Sequence, residues 1–148
     1  MKLFNRIAAT AAIAALACTS VAAFADDHGY TEGLVVNVAR IRTVDGKFDD
    51  YMKWIDTKWK AQQEAAKKAG YLVSYEVMSV EPRTPDDPDL FLITRYKNWA
   101  ALDGAIDKAD AVTKMVGSTV AESNKLQADR AAIRRVLGSS TMQVLDLK

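Results

Sequence analysis

The sharpest chemical pattern in this chain is Asp26-Asp27-His28, which puts a histidine in third position if the chain is cut after Ala25. A free amine, two backbone nitrogens and an imidazole then meet in a square plane, the arrangement that suits Cu(II) or Ni(II). The alternative is a single histidine that happens to fall third in a tail. No other histidine exists, so a Ser/His/Asp triad cannot be assembled inside the fold, and no glycine-rich phosphate loop is present. Asp86, Asp87 and Asp89 cluster, but prolines interrupt them and the glycine and distal glutamate of a calcium loop are missing, so they read as a solvated connector. What remains is a set of polar groups on apolar strands: Asn37, Tyr75, Arg95 and Gln143, with Trp59 on a neighbouring helix. An amide there orients a ligand carbonyl or phenol, and a guanidinium clamps an anion. Each has a structural reading beside the functional one. Asn37 can bond a partner chain or a water, Arg95 can pair with Glu76, and Trp54, Trp59 and Trp99 can serve packing and interfaces. These five are candidates for lining a cavity; no residue is assigned a catalytic role, and no cofactor is expected.

Residues 1–25 read as an export signal. Lys2 and Arg6 give a positive start, residues 7–17 form an apolar run too short to span a bilayer, and Ala23-Phe24-Ala25 is a small-x-small cleavage site. Cleavage after Ala25 leaves 123 of the 148 residues, enough for one hydrophobic core, in a periplasmic or secreted protein. An acylated Cys18 is the alternative processing route, although Ala15-Leu16-Ala17 does not match the usual lipoprotein pattern. Loss of the signal removes the one cysteine and shifts the formal charge from +1 to −1, with 18 basic against 19 acidic residues. That balance excludes the concentrated positive footprint of a nucleic-acid binder. No second apolar run approaches membrane-spanning length, so no membrane partner is expected after cleavage.

The elements that must position these groups follow from periodicity. Residues 26–33 are polar and read as a flexible tail, followed by one domain over 34–148. Residues 34–43 alternate as a strand, with Leu34, Val36 and Val38 on one face and Val35, Asn37, Ala39 and Ile41 on the other. Both faces are mostly apolar, which implies that both are covered. A helix is expected over 47–69, with Phe48, Tyr51, Met52, Ile55 and Trp59 on one stripe and Gly70 as its stop. Trp54 lies off that stripe and marks a flank or a second contact surface. Strands are expected over 72–80 and 90–96, joined by a stiff proline-rich connector that brings Glu76 near Thr94 or Arg95. Asn98 caps a second helix, with Trp99, Leu102, Ile106, Ala109, Thr113 and Val116 on its core stripe. A third helix over 119–137 is anchored by Leu126, Ile133 and Leu137, with Arg134-Arg135 near its end and Gly138 as its stop; a strand over 141–147 closes the domain.

This order, β-α-β-β-α-α-β, predicts an α+β ferredoxin-like antiparallel sheet with its helices on one face. Together with the long first helix and the run Leu90-Phe91-Leu92-Ile93-Thr94-Arg95-Tyr96-Lys97-Asn98-Trp99-Ala100-Ala101-Leu102, it resembles the dimeric α/β-barrel superfamily, which includes the antibiotic-biosynthesis-type monooxygenases. The resemblance implies a homodimer whose sheets face each other and enclose a cavity. The expected function is then binding of a small apolar or aromatic molecule. An enzymatic alternative is a cofactor-free monooxygenase acting on quinols or phenols through Asn37 and Trp59. A third is a non-catalytic envelope-stress or assembly protein.

Overall fold

The run of β-branched residues after Gly33 forms the middle of a long strand, β1 (Tyr30–Thr43), in the computed structural model, which describes residues 28–148. The export segment, Asp26 and Asp27 lie outside the described residues. β1 reaches back into the segment expected to be tail, because Tyr30, Thr31 and Glu32 pair with Leu147, Asp146 and Leu145 of the last strand. Helix α1 (Phe48–Trp54) runs through a π-helical turn (Ile55–Trp59) into α2 (Lys60–Lys68), which Gly70 ends with a left-handed φ of 75°. Strands β2 (Ser74–Ser79) and β3 (Leu90–Tyr96) follow, then helices α3 (Ala105–Met115) and α4 (Val120–Asp129), and finally β4 (Arg134–Leu147).

The strands lie in the order β2-β3-β1-β4 and every pair is antiparallel, so the fold is α+β with the ferredoxin-like arrangement. Register sets the two faces. Ile41 lies opposite Leu90, Ala39 opposite Leu92 and Asn37 opposite Thr94, which puts these residues on one side. Against that side pack Tyr51, Ile55 and Trp59, forming the core with Ile41, Leu90 and Leu92. The opposite side carries Val36, Val38, Phe91 and Ile93 beside Met78 and Met142, and both methionines are exposed. Among the described residues, no helix is long and apolar enough to cross a membrane.

Two expected elements differ. The stripe from Trp99 to Val116 is broken: Trp99–Leu102 is a 3₁₀ turn capped by Asn98, Asp103 is extended, and Gly104 takes a φ of 64° before α3 starts. The helix therefore restarts in a new phase, leaving Trp99 49% and Ile106 80% exposed rather than in the core. The expected helix over 119–137 stops at Asp129, and β4 begins at Arg134 rather than at residue 141. Arg134, Arg135 and Val136 pair with Thr43, Arg42 and Ile41, and Gly138 sits at a register shift in the strand instead of ending a helix. Arg134 and Arg135 thus belong to a strand, where Arg135 reaches Asp86 at 3.2 Å. The aspartate connector is also less loose than expected. Asp89 accepts bonds from the backbone and hydroxyl of Thr43, and Asp87 accepts from the backbone N–H groups of Arg83 and Thr84.

Candidate functional site

Small residues at the meeting of α2, the end of β3, α3 and α4 leave a chamber of about 360 Å³. Ala66 on α2, Ala101 in the 3₁₀ turn and Ala105 and Ala109 around the start of α3 line it, where a larger side chain would take the space. Leu72, Leu102 and Val112 add apolar wall, and Gln62, Gln63, Tyr71, Tyr96, Ser123 and Gln127 add polar groups. Among the described residues, the charged ones in the wall are Lys108 and Arg130, and no carboxylate joins them. Lys108 is held in place: its Nζ donates to the Ala101 carbonyl at 2.8 Å and lies 5.9 Å from the Tyr71 ring centre.

Arg130 is set differently. Its guanidinium carbon lies 4.2 Å from the ring centre of Trp54, and Trp54 stacks on Tyr51 with centroids 5.6 Å apart and planes 7° from parallel. Arg134 lies 5.7 Å from the Tyr51 ring centre. Two arginines four residues apart thus rest on two aromatic rings three residues apart on α1. The Nε atoms of Arg130 and Arg134 and the indole Nε1 of Trp54 are buried and have no hydrogen-bond partner among the described residues. Among the described residues the ion pairs are Lys47–Asp50, Lys60–Asp56, Arg95–Glu76 and Arg135–Asp86, and neither Arg130 nor Arg134 takes part in one. Burial first, and then the charge of Arg134, lower the pKa of Arg130 from its usual value. Burial raises that of Tyr51, against the opposing pull of the two arginines. A smaller void of about 140 Å³, walled by Trp54, Ala61 and Leu126, adjoins the chamber and shares Gln62, Ser123 and Arg130 with it. Trp54 is therefore a second contact surface of the first helix, facing α4.

The five residues expected to line a cavity lie elsewhere. Asn37, half-buried on the helix-facing side of the sheet, donates from Nδ2 to the Thr141 hydroxyl at 2.8 Å. Trp59 is buried in the core and meets Tyr75 edge-on at 5.3 Å. Tyr75 donates its phenol proton to the Glu64 carboxylate, an interaction that pushes its pKa up to about 12. Gln143 accepts from the indole of Trp99 at 2.9 Å and donates to the Gly33 carbonyl at 3.4 Å. Arg95 is on the other side of the sheet, paired with Glu76 at 2.8 Å, the cross-strand pair that the connector foreshadowed. The sheet brings Asn37, Tyr75 and Gln143 to one face and separates Arg95 from them, and none of the five lines the chamber. His28 is exposed and stacks on Tyr30 at 5.5 Å, while Asp26 and Asp27, which complete its metal-binding pattern, lie outside the described residues.

Sequence reasoning passed over Arg130, and one signal pointed to it. Neither Arg130 nor Arg134 has an acidic residue three or four positions away, so neither has a local helical partner for its charge. No protein-family model matches the chain, and no curated protein matches it. Among solved structures, the crystal structure of HapK from Hahella chejuensis is similar to it, with a TM-score of 0.48 and 14% sequence identity over 73% of this chain and 90% of that one.

Proposed function

We propose that this chain is an exported, homodimeric small-molecule-binding protein whose ligand sits in the chamber between α2, α3, α4 and the end of β3. The observation that carries the reading is the chamber itself. Its volume of about 360 Å³ falls in the range of ligand pockets, and its wall mixes apolar side chains with a few convergent polar groups. This reading places the binding site in the helical layer rather than on the strands that carry Asn37, Tyr75, Arg95 and Gln143. Export rests on the charge, apolar run and cleavage site of residues 1–25. Dimer formation is supported by the apolar side chains on the sheet face away from the helices, Val36, Val38 and Phe91 beside the exposed Met78 and Met142, which share that face with the Arg95–Glu76 pair. Asn37 and Trp59, which a quinol-oxidising site would need, are engaged with Thr141 and Tyr75, and we assign the chamber no reaction.

Native mass spectrometry of protein purified from the exported fraction tests all three parts at once. The expected species is a dimer of chains beginning at Asp26 that carries a small molecule. A monomer that retains residues 1–25 and no ligand would overturn the proposal.

A further inference from the structure

We propose that the chamber takes an organic anion, an apolar or aromatic body bearing an oxyanion group, and that Arg130 receives that group. This rests on the chamber being the binding site. Three observations converge on the sign of the ligand. Among the described residues the wall holds two cations and no carboxylate, a lining that favours a negative ligand group. Arg130 is half-buried yet has no carboxylate partner among the described residues, whereas Arg95 and Arg135 both have one. A guanidinium withdrawn from water needs a counter-charge, and the described residues supply none here. Instead the fold places a second such arginine, Arg134, near enough to lower the pKa of Arg130.

The setting also makes Arg130 a receptor rather than a loose surface charge. Its guanidinium carbon lies over the Trp54 ring, itself stacked on Tyr51, a contact that restrains the guanidinium before any ligand arrives. A fork of donors held in advance loses little freedom when an oxyanion bridges it. Lys108 is already spent on the Ala101 carbonyl and the Tyr71 ring, so it contributes field more than a direct bond. The body of the ligand is set by the rest of the wall, where alanines, Leu102 and Val112 face the rings of Tyr71 and Tyr96.

Two dyes that share one ring system separate charge from shape. 8-Anilinonaphthalene-1-sulfonate carries an oxyanion, and N-phenyl-1-naphthylamine lacks it. In the mature protein, Arg130→Gln is expected to weaken the sulfonate roughly tenfold or more, the loss of a charge-assisted hydrogen bond, and to leave the amine within about twofold. Arg135→Gln, which breaks only the surface pair with Asp86, should change neither affinity. If Arg130→Gln binds both dyes as the wild type does, the anion assignment is wrong and the chamber stands. If the wild type binds neither dye, the chamber itself fails as a site and the anion assignment falls with it. Wild-type protein gives an arm independent of the variant's folding: 1-naphthoate should displace N-phenyl-1-naphthylamine roughly tenfold better than 1-naphthalenemethanol, and equal displacement would overturn the proposal.

Discussion

Arg95 and Arg130 stand in two halves of the molecule that obey different rules. Around Arg95, on the central strands, demands are met: Glu76 is 2.8 Å away, and the core on the other side of the sheet closes over Ile41, Leu90 and Tyr51, each exposed by 2% or less. Around Arg130, where α3 and α4 meet α2, alanines leave space and three buried nitrogens on Trp54, Arg130 and Arg134 have no partners among the described residues. Unmet buried donors cost about 1–3 kcal/mol each, so their concentration on one side of a small domain is a local departure from what folding alone selects. The contrast teaches where to look for binding. A polar residue in the well-packed half, such as Asn37 with its bond to Thr141, is spent on the fold; in the open half Lys108 is spent likewise, but Arg130 is available to something else.

The largest effects are expected from substitutions that disrupt each half in turn. Tyr51→Ala removes a buried ring from the core and the stacking partner of Trp54, and should cost about 3–5 kcal/mol in urea-induced unfolding. A cost under about 1 kcal/mol would mean that the packed half is not where stability resides. Ala109→Phe, which grows into the chamber, should leave stability within about 1 kcal/mol while weakening N-phenyl-1-naphthylamine tenfold or more. If the dye binds the variant unchanged, the open half is not a binding chamber.

The same division explains what could be seen in the sequence. The packed half was legible because its signals are periodic: alternation in β1 and β3, and the stripe of Tyr51, Ile55 and Trp59, survive as the core. Even the Glu76–Arg95 pair followed from strand register. The open half was illegible because it is built from interruptions. Asp103-Gly104 breaks one helix and shifts its phase, and Arg134-Arg135 looks like a basic helix end when it is the start of a strand recruited by pairing with Arg42 and Thr43. Long-range pairing of that kind overrides local propensity, and no spacing rule within one segment reports it. The polar candidates were sought on strands, where alternation made them visible. The chamber instead depends on alanines, whose significance is the side chain they lack.

Smaller effects refine the line between the halves. Thr119 accepts a bond from the backbone of Glu122, and the Glu122 carboxylate accepts one from the backbone of Thr119, a capping box that starts α4. Thr119→Ala should cost about 1 kcal/mol at neutral pH. The backbone bond from Thr119 holds the Glu122 carboxyl below its usual 4.5, so the contribution of the box is present above that value and is lost as pH falls through the lower folded one. The penalty of Glu122→Gln should accordingly shrink at pH 3, and a penalty independent of pH would remove the carboxylate from the account. Glu76→Gln, in the packed half but at a partly exposed pair, should cost at most about 1 kcal/mol.

The least costly change tests whether the sheet edge belongs with the packed half. Tyr75 donates to Glu64 and packs edge-on against Trp59, tying β2 to α2. The hydrogen bond to Glu64 is the main reason its pKa rises from 10.0 to about 12; burial and the negative charge of Glu64 add to it. A folded value above the unfolded one means that the bond supports the fold below pH 10 and ceases to do so as pH climbs towards 12. Following phenolate absorbance through this window, the wild type should hold back Tyr75 together with Tyr51, whose pKa burial also raises. Glu64→Gln should return one tyrosine to ionisation near 10 and leave the other late. A titration unchanged by Glu64→Gln would mean that β2 and α2 are joined by ring packing alone, and that the boundary of the fully satisfied region lies inside the sheet edge, at Trp59.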